Sequence, residues 1–367
     1  MSNSNQLYNS IPEPNEEVKL LRSYSAPLEN RRNLLRLDFN ENTIGPSKKV
    51  FEAIKDIKIN EISIYPEYDS LKNKLCNFYL KKRSFDRDEI GIFNGADAAI
   101  NAIFKTFGEK NKLFLTTNPT FGYYFPCAEL QGMKIRYCSY IGDCFNFPEE
   151  NFKSQIKLFG PKIIFICNPN NPTGSVISAE KIIDIANKNK GSLFVIDELY
   201  EKFYGDSLLP NINFKKTKNI VIVQSLSKTA GLAGLRIGFA FGNAEVIKYI
   251  NKVTGPYDVN SFAVKAAKAA IEDYEYIENY VVKVKEARNW IKDKIKTLNI
   301  RNNFNGGNYF LIWPKIKPSI LETRMRQNGI LIRSMENKKD IEMSVRVSIG
   351  TKEQMEVFLE KYKKLDK

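Results

Sequence analysis

Lys228 stands in the stretch SLSKTAGLAGLRIGFAFGN, residues 225 to 243, three residues after Ser225 and eight before Arg236. Hydroxyls, glycines and apolar residues surround it, at the mouth of an apolar run. Desolvation at such a place disfavours an ammonium ion, and the neutral amine is a nucleophile toward an aldehyde. That is the chemistry of a Schiff-base lysine. An aldehyde cofactor with an electron-poor ring and a phosphate, pyridoxal 5′-phosphate, needs three further things around it. It needs a carboxylate against its ring nitrogen, and Asp197 in VIDELY is the candidate. Its phenolate oxygen needs donors, which Asn171 in NPNNPTG and Tyr200 can supply. Its phosphate needs a cradle: Ser225, Ser227 and Arg236 offer hydroxyls and a guanidinium, and Gly95-Ala96-Asp97 offers backbone N–H groups opening a helix. Phe121 in NPTFGYY either stacks on the ring or packs in the core. Taken singly, each has a structural explanation, such as a glycine turn, an Asn-Pro turn or a helix cap. Together they supply what one chemistry requires.

The elements that must hold these residues follow from the pattern around them. EIGIF, KLFLTT, KIRYCSY, KIIFIC, LFVIDE, NIVIVQS and RIGFAFG alternate with stretches of helical spacing such as ADAAINAIFKTFGEK and SAEKIIDIANKNKG. This alternation predicts an α/β fold whose mostly parallel sheet is covered on both faces. Ligands of such sheets lie beyond the carboxyl ends of the strands, where the candidate residues above fall. After residue 262, one long or broken helix is expected, then strands in GGNYFLIW, GILIRS and MSVRVSIG, then a helix from Lys352. Residues 46–262 thus read as a large α/β domain. Residues 263–367, joined by the N-terminal segment 1–45, read as a smaller α+β domain.

Composition removes alternatives. The chain of 367 residues contains no histidine, which excludes a Ser/His/Asp triad and a His-based metal site. No metal is expected. Its five cysteines form no CxxC and read as reduced, mostly core thiols. The net charge of +14 favours anionic ligands, but runs such as EKNK, EKIIDIANKNK and EKYKKLDK mix both signs, so the excess reads as a solvated lysine-rich surface. No nucleic-acid partner is expected. With no run of about 18 apolar residues, no membrane association is expected either. A polar, acidic start without a signal-peptide pattern predicts a cytoplasmic protein.

NPNNPTG, VIDELY and SLSKTAGLAGLRIG, in that order and spacing, resemble the fold-type I, class I/II aminotransferases. YPEYDSL, GADAAINAIF, GILIRS and VRVSIGT narrow the resemblance to the histidinol-phosphate aminotransferase branch, over roughly residues 35 to 352. The resemblance implies that Lys228 carries the cofactor and shuttles a proton, that Asp197 pairs with the ring nitrogen, and that Asn171 and Tyr200 contact the phenolate oxygen. It implies that Tyr65 reaches the phosphate from a neighbouring subunit, and hence a homodimer. It assigns Arg346 to a substrate carboxylate and Arg333 to a second anion such as a phosphate. One departure is visible: the segment expected over the substrate reads Asn40-Glu41-Asn42-Thr43, where the branch carries NENP, with Asn42 among the expected substrate contacts. The expected activity is transfer of an amino group between an amino acid and a small phosphorylated carbonyl compound. The alternatives are a pyridoxal-phosphate-dependent decarboxylase of a phosphorylated amino acid, of the phosphoserine or phosphothreonine type, and a non-catalytic or nucleic-acid-binding protein that keeps the fold.

Overall fold

Strands form where β-branched and aromatic residues run between turn signals. The computed structural model describes residues 12–21, 29–79 and 86–367; the first eleven residues of the expected small domain lie outside them. A short β1, Leu35–Arg36, precedes seven strands that make the central sheet. They are β2 (Ile90–Phe93), β3 (Leu113–Asn118), β4 (Lys134–Ser139), β5 (Ile163–Cys167), β6 (Leu193–Asp197), β7 (Ile220–Ser225) and β8 (Gly238–Gly242). Their order is β2-β8-β7-β6-β5-β3-β4. The pairings from β7 through β4 are parallel, and β8 runs antiparallel to both of its neighbours, β7 and β2.

The central strands are buried on both faces. Ile164, Ile166, Phe194, Ile196, Ile220 and Ile222 belong to one core, packed with the helices Ala179–Lys188 and Ser261–Glu272. Their neighbours along the chain, Ile163, Phe165, Val195, Val221 and Val223, belong to another, under the helix Gly95–Phe107. The alternation is the period-two geometry of a strand, and both faces are apolar because helices cover both.

A four-stranded sheet follows in the order β12-β13-β10-β9, from β9 (Asn302–Asn303), β10 (Tyr309–Ile312), β12 (Arg333–Ser334) and β13 (Val345–Ser348). Its core includes Phe310, Ile312, Val345 and Val347 with the helices Tyr274–Lys296, Pro318–Gln327 and Lys352–Leu365. The helical stretch after residue 262 is broken at Asp273, between Ser261–Glu272 and Tyr274–Lys296. β1 pairs in parallel with β11 (Ile330–Leu331), and Ser348 N–H donates to Leu37 O at 2.8 Å, so residues 35–37 lie against the second sheet. No described helix is long and apolar enough to cross a membrane. Of the five cysteines, Cys76, Cys127, Cys138 and Cys167 are buried free thiols and Cys144 is exposed.

Candidate active site

The parallel strands β5, β6 and β7 end at Cys167, Asp197 and Ser225, so the residues that follow them gather at one edge. β8 runs the other way, and its first residue, Gly238, pairs with both Ser225 and Phe93. That reversal brings Arg236, two residues before β8, to the same edge as Lys228. Here opens a cavity of about 670 Å³. Of the expected residues, Ala96, Asp97, Phe121, Asn171, Asp197, Tyr200, Ser225, Ser227, Lys228, Arg236, Arg333 and Arg346 line it.

The three asparagines of NPNNPTG take separate tasks. Asn168 exchanges hydrogen bonds with the backbone of Ile177, and Asn170 binds Pro119 O, Thr120 and Thr173 through its side chain. Both amides are spent on holding the loop. Asn171 alone faces the cavity, donating to Tyr200 Oη at 3.2 Å and accepting from Arg346 Nη1 at 2.6 Å. Asn40 donates to the same Tyr200 hydroxyl at 3.1 Å, while burial holds the Tyr200 hydroxyl above the usual tyrosine range.

Asp197 is 2% exposed, and its partners are uncharged: Tyr124 Oη donates to Oδ2 at 2.5 Å and Leu199 N–H to Oδ1 at 3.1 Å. Burial pushes its carboxyl up to about 6 against the lowering effect of those two bonds. A cation seated beside it would reverse that shift. Lys228 Nζ donates to Phe39 O at 2.9 Å, and burial, helped by the Arg346 charge, brings its amine down to about 8. The neutral amine is therefore accessible near physiological pH.

On the side of the expected phosphate cradle, Ser225 Oγ donates to Ile237 O at 3.0 Å and lies in hydrogen-bond contact with Ser227 Oγ at 2.7 Å. Arg236 Nη2 donates to Asp97 Oδ2 at 2.9 Å. Gly95 opens the helix with φ +83°, and a Cβ there would lie 2.6 Å from Arg236 Nη2. The guanidinium thus packs on the bare glycine at the helix start, beside its first N–H groups, which the Asn94 side chain does not cap. Phe121 meets Tyr124 edge-on at 5.5 Å between centroids. Across the cavity, Arg333 and Arg346 are direct partners on β12 and β13, so both project from one face of the second sheet.

These residues fit pyridoxal 5′-phosphate: a buried carboxylate with only neutral partners, a desolvated lysine amine, and hydroxyls with a guanidinium at a helix start. Two expected residues lie elsewhere. Asn42 is a correction, because its side chain is turned into the chain: Nδ2 donates to Thr229 O at 2.9 Å and Oδ1 accepts from Ile44 and Gly45 N–H. It braces the lysine loop and does not line the cavity; the adjacent Phe39, Asn40 and Glu41 do. Tyr65 is 69% exposed, outside the cavity of its own chain, and stacks on Tyr257 at 3.9 Å between centroids. Residues that sequence reading missed are Tyr124 and Lys338, and Asn40, named there only as part of the segment over the substrate, takes the place at the cavity expected of Asn42. Tyr124 sits in the quoted NPTFGYY, where only its neighbour Phe121 was singled out. Lys338 sits in ENKKD, which resembles the solvated charge runs elsewhere.

The pattern that defines the aminotransferase class I and II family matches residues 32–361 of this chain. The chain belongs to the class I and II aminotransferases. This aminotransferase is 31% identical over 337 residues to the histidinol-phosphate aminotransferase of Caldanaerobacter subterraneus subsp. tengcongensis, covering 92% of this chain and 93% of that one. Its fold matches the crystal structure of histidinol-phosphate aminotransferase from Sinorhizobium meliloti in complex with pyridoxal-5′-phosphate, with a TM-score of 0.85 at 20% identity, covering 97% of this chain and 99% of that one. The L-threonine-O-3-phosphate decarboxylase of Porphyromonas gingivalis shares the fold at a TM-score of 0.77 and 22% identity, covering 90% of this chain and 99% of that one. The aminotransferase uses pyridoxal phosphate, in agreement with the chemistry read from Lys228 and Asp197.

Proposed function

We propose that this aminotransferase moves an amino group between an amino acid and a small phosphorylated carbonyl compound, as a cytoplasmic homodimer. The observation that carries the substrate reading is the pair Arg333 and Arg346, directly opposed across β12 and β13 and lining the same cavity as Lys228 and Asp197. Arg346 binds the carboxylate of the amino acid, and its bond to Asn171 orients it toward the reacting centre. Arg333 binds the second anion, a phosphate. The curated relatives named histidinol-phosphate aminotransferase, such as that of Clostridium beijerinckii at 30% identity over 95% of this chain, support that choice.

When bound, pyridoxal phosphate supplies an electrophilic carbonyl and an electron-withdrawing ring. Lys228 would hold the cofactor through its amine and, once that amine is freed by the amino acid, would move the proton between the substrate Cα and the cofactor's C4′. Asp197 keeps a proton on the ring nitrogen, with Tyr124 fixing the carboxylate. Asn171 and Tyr200 donate to the phenolate oxygen. The backbone at Gly95, Ala96 and Asp97 holds the phosphate with Ser225, Ser227 and Arg236, and Phe121 covers a ring face. Tyr65 completes the cradle from the partner subunit; Ile59, Ile62 and Ile64 are exposed on the same stretch, as an apolar interface requires.

The closeness of Arg333 and Arg346 also favours a second reading, decarboxylation of one substrate that carries both a phosphate and a carboxylate. Stoichiometry separates the two. With glutamate and a phosphorylated carbonyl acceptor, 2-oxoglutarate and the aminated phosphate ester should form in equal amounts. Carbon dioxide released from O-phosphothreonine or O-phosphoserine, with no 2-oxo acid formed from any donor, would establish the decarboxylase instead.

A further inference from the structure

Lys338 lines the same cavity as Arg333 and Arg346, in the connection between β12 and β13, and donates to Thr120 O at 3.2 Å. The cavity's carboxylates are otherwise engaged. Asp97 pairs with Arg236 at 2.9 Å, Asp197 is held by Tyr124, and Glu41 pairs with Arg31 at 2.9 Å and Arg36 at 3.3 Å. Among the described residues Lys338 has no ion pair. It is half-buried, and burial together with repulsion from Arg346 and Arg333 brings its amine down to about 8. Three cationic side chains on one wall, one with only a carbonyl for company, make a site whose charge exceeds that of a single carboxylate. A phosphate monoester carries close to two negative charges at neutral pH, since its second pKa lies near ~6. One arginine does not neutralise it.

We propose that Lys338 is a specificity-determining residue, the third cation of the substrate site, which joins Arg333 on the phosphate and so selects a phosphate monoester dianion over a carboxylate. The assignment deepens the phosphorylated-substrate reading above and rests on it. Lysine suits the task as a compact charge on a flexible stem, able to swing from Thr120 O to the phosphate oxygens that Arg333 leaves free. The anion in turn restores full protonation of the Lys338 amine.

The test is equilibrium binding, by calorimetry at pH 7.5, of propyl phosphate and of butyrate to the pyridoxal-phosphate-loaded protein. Neither probe has an amine that can react. Wild type should bind propyl phosphate more tightly than butyrate. Lys338→Met keeps the apolar stem and should raise the Kd for propyl phosphate about tenfold, while changing that for butyrate less than about twofold. Lys338→Arg should recover most of the loss, which a merely structural role would not predict; Lys338→Gln serves as a second neutral variant should the methionine variant fold poorly. Unchanged propyl phosphate affinity in both neutral variants, or an equal loss for both probes, would overturn the role of Lys338 and leave the phosphate reading standing. A wild type that binds propyl phosphate no better than butyrate would overturn the phosphate reading itself, and this assignment with it.

Discussion

Lys228 has to be neutral to capture an aldehyde, and its surroundings set the pH at which that happens. Burial lowers its amine to about 8, with Arg346 as the next cause, opposed by Glu41 and Asp97. Below that value the ammonium dominates and capture is slow; above it the amine is free and the rate levels off. The rate at which cofactor-free protein takes up pyridoxal phosphate, followed by absorbance, should therefore rise with pH and reach a plateau just above about 8. An exposed lysine would keep rising toward about 10.4. Replacing Arg346 with methionine removes a repelling charge, so the midpoint should move up. A midpoint that stays in place, or moves down, would show that Arg346 does not act on Lys228 through its charge. Borohydride reduction of the loaded protein should leave the label on Lys228, and Lys228→Ala should lose about 10³-fold or more of the turnover.

At the scale of elements, the lysine loop is clamped to the segment before the first domain-sized sheet. Lys228 binds Phe39 O, and Asn42 binds Thr229 O at 2.9 Å. Gly231, at φ +75°, lies so close that a Cβ would meet the Gly45 carbonyl carbon at 2.6 Å. Thr43, which stands where a proline was expected, donates to Gln354 Oε1 at 2.6 Å, and the same oxygen accepts from Thr351 N–H at the start of the last helix. The departure from NENP therefore brings its own anchor, through a side-chain bond in place of a fixed ring. Gly231→Ala should cost roughly 2–4 kcal/mol, from a left-handed backbone position combined with overlap against backbone. Its denaturation midpoint should fall well below that of Gly191→Ala, where no atom lies within 4 Å. Equal midpoints for the two variants would mean that the clamp contributes nothing to stability.

At the scale of the whole molecule, one chain leaves Tyr65 on its surface with Ile59, Ile62 and Ile64, outside the cavity that Lys228 and Asp197 line. If Tyr65 serves the partner's site, mixing inactive Lys228→Ala and Tyr65→Ala subunits yields hybrids with one intact site. Activity should return toward about a quarter of wild type, as random pairing of equal amounts makes half the dimers hybrid, each with one good site of two. No recovery from subunits shown to exchange would place Tyr65 outside the shared site. The sequence by itself determined the alternation that makes a covered parallel sheet, because apolar runs and helical spacing are local patterns. It also determined which residues gather at the cavity, because Asn171, Asp197, Ser225 and Lys228 lie at or just past strand ends whose side of the sheet is fixed once the strands are parallel. Only the tertiary structure decided what depends on distant contacts. Asn42 braces Thr229 across 187 residues of chain. Tyr124 reaches Asp197 from the start of the helix Tyr124–Glu129, and Lys338, indistinguishable in sequence from a surface lysine, is drawn beside two arginines because β12 and β13 pair there. A short-range pattern says which face a residue takes; which partner it meets on that face depends on how the two sheets pack against each other.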